Sequence, residues 1–313
     1  MLNEFEKPED KSLIIDLIKK KLNLDLNEIS YYKITSLHRG ICLIINNDRF
    51  PKLGDREGSD VDAVSLARVF SWLGFWVVIV EDREVQEMRN LLKLFAGLNP
   101  KSLSELKKHS VKEWAGDRKK FIDLDGLLQH GDAFVCCVLS HGCSEGIYGS
   151  DEKVLPHNEL LSFFNGSNCS ALKDKPKLFF VEACRSEPDK QKGKTRDEPP
   201  SDDTWGSANA QRKRIYDITD DSDMLIAMGS TDKQISIRSN KTGTWFIQSL
   251  CKQLQQGCIR GEDILMILTD VGGEVSEKEG CIGRGMSRQI SKQMPEVTSR
   301  LRSRLVLHVP STL

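Results

Sequence analysis

The sequence predicts a wound α/β protein: a mostly parallel, six-stranded sheet with helices on both faces. Three observations predict it. Apolar runs bounded by Gly, Asp or Pro alternate along the chain with segments of helical period. The runs are apolar throughout rather than at every second position, as in strands covered on both faces. The chain is long enough, at 313 residues with 39% hydrophobic and 29% charged, for one large α/β unit or two smaller domains.

Residues 1–36 read as a short N-terminal prosegment. They carry one amphipathic helix (residues 12–22) and too few apolar residues for a core of their own. A strand follows at Gly40–Asn46 (GICLIIN). The next helix, 61–73, places Val61, Val64, Ala67 and residues 70–72 on one face, and Gly74 stops it. A strand at 75–81 (FWVVIVE) leads to a helix at 85–98. Residues 99–129 form a Lys-rich insertion, expected to be partly helical and mostly exposed. A strand at 133–140 (AFVCCVLS), a helix at 158–164 and a strand at Lys177–Glu182 (KLFFVE) complete a large piece over 37–186. Residues 187–204 contain no large apolar side chain, so 187–222 is predicted to be a flexible, Asp-rich linker. The small piece, 223–313, carries a strand at 224–229, helices at 244–255 and 263–271, and a last strand at 304–309 (RLVLHV).

Composition excludes several function classes. With 45 basic and 46 acidic residues, the net charge of −1 gives no general reason to expect nucleic acid or an anionic membrane as partner. The start of the chain lacks the pattern of a signal peptide. The longest clean apolar run, AFVCCVL, is far short of the roughly 18 residues a membrane helix requires. Nine cysteines without a secretory signal point to reduced thiols and a cytoplasmic location. Cys42, Cys136, Cys137 and Cys251 fall in strands or a helix and read as packing; Cys143, Cys169, Cys258 and Cys281 fall in loops. No phosphate loop, dinucleotide fingerprint or zinc-site spacing is present, so neither cofactor nor metal is expected.

Two loops carry potential chemistry. Ser140-His141-Gly142 follows one strand, and Glu182-Ala183-Cys184-Arg185 closes another. Function in open α/β sheets gathers at the carboxyl ends of strands. There an imidazole can pair with a thiol and activate it as a nucleophile. The glycine after the histidine allows close backbone approach, so the N–H groups of Gly142 and Cys184 are candidate oxyanion donors. Taken alone, a buried thiol and a satisfied surface histidine are the simpler explanation of such a pair, since buried cysteine is common.

The surrounding residues supply more. FFVEACRS resembles the caspase nucleophile motif, whose histidine lies about 50 residues upstream. LSHGCSEGIYG resembles the caspase histidine loop. RGICLIINNDRF, GDREGSDVDAVSLARVF, GTWFIQSLCKQLQ, RGEDILMILTDVGGEVSEK and SKQMPEVTSRLRSRLVLHVP resemble further blocks of the family in the same order, over about residues 37–313. The flavour is that of the death-receptor initiator branch, although 36 residues are too short for a death-fold module. The chain would then be effector-like with a short prosegment, or truncated.

The resemblance implies a caspase-like fold with large and small subunits from one chain. It implies a zymogen of a cysteine endopeptidase that cleaves proteins after aspartate in apoptotic or inflammatory signalling. Cys184 is implied as nucleophile and His141 as general base and acid. Arg56, Arg238, Glu182 and Ser236 are implied to line the aspartate pocket, whose carboxylate suits planar guanidinium forks. Asp203 and Asp220 are implied as linker cleavage positions. Protein substrates and a homodimer, or a heterodimer with other caspases, are the implied partners, with RLVLHV near the two-fold interface.

Two departures matter. Glu182 stands where the family usually has glutamine, and an ionised carboxylate can only accept hydrogen bonds. Like charges about 4 Å apart at an effective dielectric of 20 repel by about 4 kcal/mol, an upper bound near a thousandfold in affinity. An impaired or altered pocket, working better at mildly acidic pH, is therefore expected. Ser186 replaces a glycine, at about 1–2 kcal/mol of strain if the backbone there is left-handed. A second function class stays open: a catalytically weakened homologue that pairs with active caspases and regulates them. A ligand-binding α/β protein is the third.

Overall fold

The computed structural model describes residues 30–36, 38–116, 120–185, 220–231, 236–282 and 289–310. The predicted helix at 12–22, Ser186 and most of the linker, Asp203 included, lie outside them.

Strand β1 (Gly40–Asn46) is the centre of the fold. Its residues alternate between two cores, as the two-residue strand period requires. Ile41, Leu43 and Ile45 enter one core; Cys42 and Ile44 enter the other. The second core lies under helix α1 (Ser59–Trp72), which buries Leu66 and Phe70. Strand β2 (Trp76–Glu81) pairs parallel with β1. Helix α2 (Val85–Ala96) covers the opposite face with Met88, Leu91, Leu92 and Phe95. It opens with a capping box in which the Glu84 and Glu87 side chains satisfy each other's backbone N–H groups.

The insertion departs from expectation. Helix α3 (Ser102–Lys108) is followed by β3 (Lys112–Trp114) and β4 (Phe121–Asp123), which extend the sheet beyond β2 as antiparallel strands. Leu106, Val111, Leu124 and Leu128 are buried. The Trp114 and Phe121 rings pack edge-on with centroids 5.2 Å apart across the hairpin.

Strand β5 (Ala133–Leu139) lies parallel to β1 on its other side. After the small hairpin of β6 (Gly146–Tyr148) and β7 (Val154–Pro156), and helix α4 (His157–Ser162), comes β8 (Lys177–Glu182), parallel to β5. Strand β9 (Met224–Met228) continues the parallel set. A short pair, β10 (Arg238–Ser239) and β11 (Gly243–Thr244), leads into helix α5 (Trp245–Arg260) and then α6 (Ile264–Ser276). Cys258, expected in a loop, is buried in the last turn of α5. A hairpin of β12 (Gly280–Ile282) and β13 (Gln289–Ser291) precedes β14 (Glu296–Ser299).

Among the described residues the main sheet has eight strands in the order β14-β9-β8-β5-β1-β2-β3-β4, not six. Five predicted strands form its parallel centre. The sixth, RLVLHV, is not a strand. It makes single bridges, Arg304 to Tyr31 and Val306 to Asp263, while Leu305 and Leu307 are buried against the helices. The edge position beside β9 belongs to β14, antiparallel to it and largely exposed. Its sequence, EVTS, is too short and polar to register as a strand.

Asp62 of α1 joins the pieces before and after the linker. Its carboxylate accepts the Thr244 N–H, 3.0 Å from each oxygen, and the Gln248 Nε2 donor at 2.7 Å. Thr244 also caps α5 by accepting from the Ile247 N–H. Among the described residues, no helix is long and apolar enough to cross a membrane.

Candidate active site

The strand order reverses at β1. From there the chain proceeds to β2 on one side, and later through β5, β8 and β9 on the other. The carboxyl ends of β1, β5 and β8 therefore frame the crevice where such sheets place their ligands. Loops from these three strands and from β10 bring the predicted residues together.

His141 follows β5. Its Nε2 lies 2.9 Å from the Gly54 carbonyl, and its ring packs edge-on against Phe50 at 4.7 Å. A carbonyl only accepts, so Nε2 carries the proton and Nδ1 is the bare nitrogen. Burial holds the imidazole pKa below its usual value. The Gly54 bond opposes that shift, and Arg56 and Arg238 reinforce it.

Cys184 follows β8. The end of β8 is tied to that of β5 by the Ser140 N–H, which donates to the Glu182 carbonyl at 3.1 Å. A Cβ on Gly142 would lie 2.9 Å from both the Ala183 Cβ and the Cys184 carbonyl oxygen. Only glycine lets the histidine loop close onto the cysteine loop in this way. The Cys184 thiol faces the Ser236 carbonyl at 4.0 Å. Burial pushes its pKa up, Glu182 adds to the rise, and the two arginines oppose it. Thiol and imidazole are both neutral in this arrangement.

Arg56 is 1% exposed. Its Nη1 donates to Ser59 Oγ at 2.5 Å and to the Asn47 carbonyl at 3.4 Å; Ser59 in turn donates to Asn46 Oδ1. Burial and then Arg238 lower its pKa to about 10. Half-buried Arg238 directs Nε to the Glu57 carbonyl at 3.1 Å. Gly58, with φ of 87°, makes this approach possible, because a Cβ there would lie 2.7 Å from the Ser239 carbonyl.

Glu182 is also 1% exposed. Ser236 hydrogen-bonds its carboxyl, while Oε2 is buried without a partner among the described residues. A Cβ on Gly229 would lie 2.5 Å from Oε2. Burial raises the Glu182 pKa to about 7 against the pull of Arg56 and Arg238, and Asp62 adds to the rise.

Gln293 completes the shell; it falls within the family-like block SKQMPEVTSRLRSRLVLHVP, in which nothing marks it individually. Its Nε2 donates to the Gly229 carbonyl at 2.6 Å and to Ser236 Oγ at 3.0 Å, and its Oε1 accepts the Ile237 N–H at 2.8 Å. Asp220 stands apart, just before β9 at the opposite end of the strands from Cys184. It is held by the Gly166 N–H on its carbonyl and Ser167 Oγ on its carboxylate. Among the described residues, no group of three or more His, Cys, Asp or Glu could hold a metal ion.

Fold and site define a wound α/β protein whose histidine loop closes onto its cysteine loop at the carboxyl ends of β5 and β8, near Arg56 and Arg238. The Caspase domain family matches residues 39–105 and 113–306, the break falling within the insertion. The chain is 33% identical to Caspase-8 of Rattus norvegicus over 290 residues, covering 90% of this chain and 53% of that protein. It is 33% identical to Caspase-7 of Gallus gallus, covering 85% and 76%. The crystal structure of Caspase-1 from Spodoptera frugiperda superposes with a TM-score of 0.67 at 27% identity, covering 91% of this chain and 96% of that one. The chain belongs to the caspase family, and it spans about half the length of the caspase-8 relatives it matches.

Proposed function

We propose that this chain is a cysteine endopeptidase that cleaves proteins after aspartate, in apoptotic or inflammatory signalling in the cytoplasm. The observation that carries the reading is the closure of the histidine loop onto the cysteine loop at Gly142, with His141 oriented by the Gly54 carbonyl. Since Nε2 is committed to that carbonyl, Nδ1 receives the Cys184 proton. The thiolate formed attacks the aspartate's own main-chain carbonyl carbon, and the amine of the next residue is the leaving group. The resulting oxyanion is held by the N–H groups of Gly142 and Cys184, each such donor being worth about 10²–10³ in rate. Imidazolium then returns the proton to the leaving amine, and water resolves the acyl-enzyme. Arg56 and Arg238 grip the substrate carboxylate, with Ser236 and Glu182 at its side.

Residues 37–186 and 223–313 serve as large and small subunits, and maturation cuts the intervening linker at Asp203 or Asp220. The five residues of β9 alone span roughly 17 Å, and Asp220 lies beyond their far end. A cut after Asp220 is therefore made by another copy. The exposed edge of β14, rather than RLVLHV, is the place for a second copy to pair.

The regulator reading rests on Glu182 alone, against the retained Cys184, His141, Arg56 and Arg238. Self-incubation decides. The wild-type chain is expected to yield new N-termini after Asp203 or Asp220 and to hydrolyse Asp-ending peptides, and the Cys184→Ala chain neither. Equal behaviour of the two chains would contradict the reading.

A further inference from the structure

Glu182 is fully enclosed: its Oε2 lies where a Cβ on Gly229 would come within 2.5 Å, and Ser236, to which its carboxyl is bonded, accepts in turn from Gln293. The charged and titratable groups facing it are Arg56 from the loop before α1, Asp62 from α1, Arg238 from β10 and Cys184 from its own loop. Among the described residues, Gly229 after β9 lies against the carboxyl, and the neighbouring loop brings the Ser236 hydroxyl to it. A ligand reaching for the two arginines therefore meets a buried carboxyl with one oxygen unpartnered among the described residues.

We infer that Glu182 makes the specificity pocket proton-linked: an aspartate side chain enters together with one proton shared between the two carboxyls, whereas an asparagine side chain enters without one. The inference rests on the aspartate-pocket reading above. Two carboxylates so close cannot both stay ionised, so binding takes up a proton from solvent and forms an O–H···O⁻ bond inside the guanidinium field. Asparagine needs no proton. Its carbonyl accepts from a guanidinium while its amide N–H donates to ionised Glu182. Glu182 thus widens the substrate class from aspartate alone to aspartate and asparagine, the balance being set by pH. Burial brings the free Glu182 carboxyl to about 7, which places the changeover in the physiological range.

The test is calorimetric titration of the full chain carrying Cys184→Ala with two N-acetylated peptide amides that differ only in ending with Asp or Asn. Titrations run from about pH 6 to 9, in two buffers of different ionisation heat. The ratio of the two affinities cancels His141 and every other shared ionisation. The expected result is an Asp-to-Asn ratio that falls up to tenfold per pH unit above about 7. Above about pH 7 the Asp peptide takes up close to one proton and the Asn peptide none, and the uptake by the Asp peptide fades below that pH, where the free carboxyl already holds the proton. Adding Glu182→Gln flattens the ratio and abolishes the uptake. Parallel pH profiles before that substitution, or an unchanged slope after it, overturn the proposal while leaving the aspartate pocket standing. Failure of both peptides to bind removes the pocket reading and the proposal together.

Discussion

Burial of Glu182 makes stability depend on pH. Its carboxyl is buried, and its pKa rises from 4.5 to about 7 on folding. The native state therefore holds a proton that the unfolded chain releases between those values, and stability falls as pH rises through that window. The 2.5-unit difference corresponds to about 3 kcal/mol at 1.36 kcal/mol per unit. Glu182→Gln is expected to unfold at about the same denaturant concentration as wild type near pH 4.5, and to be more stable by about that amount above pH 7. Parallel stability curves measured by urea unfolding across the range would contradict this. The residue positions were unequally legible. Cys184 and His141 stood out because each follows an apolar run that is plainly a strand. Arg56 and Arg238 became visible only through their motifs, since an isolated arginine reads as a solvated surface charge. Gln293 and Asp62 lie within family-like blocks, but nothing there marked them individually. Their roles come from backbone groups of distant segments, which no local pattern records.

At the scale of elements, the parallel centre of the sheet was readable because strands buried on both faces are apolar throughout. The margins were not. Strand β14 and the β3–β4 hairpin are three or four residues long, too short for a two-residue period to emerge from a polar background. RLVLHV has a strand's composition and is buried as expected, yet its residues pack on α5 and α6 and its backbone makes only single bridges. The insertion packs into both main cores, and Trp114→Ala is expected to lower stability by about 1–2 kcal/mol through loss of the Phe121 ring contact and cross-strand packing. Because the hairpin lies on the far side of β2 from the crevice, hydrolysis of an Asp-ending peptide should be unchanged. A larger stability loss accompanied by lost activity would show that the hairpin supports the crevice.

Across the whole molecule, the composition gives little hint of the site, because a net charge of −1 averages over a crevice lined by Arg56 and Arg238. One sheet collects three loops at the carboxyl ends of β1, β5 and β8, and the fourth comes from the piece beyond the linker. Asp62 ties that piece to the rest, and Gln293 braces the Gly229 carbonyl and the Ser236 hydroxyl within it. The central claim is that this assembly makes one thiol of nine the nucleophile of an aspartate-directed peptidase. Its most direct measurement is intact-protein and peptide mass spectrometry after treatment with an irreversible aspartyl ketone. One equivalent added at Cys184, and none in the His141→Ala chain, is the expected result. No labelling at any pH from about 5.5 to 8, or labelling spread over other cysteines, would contradict it.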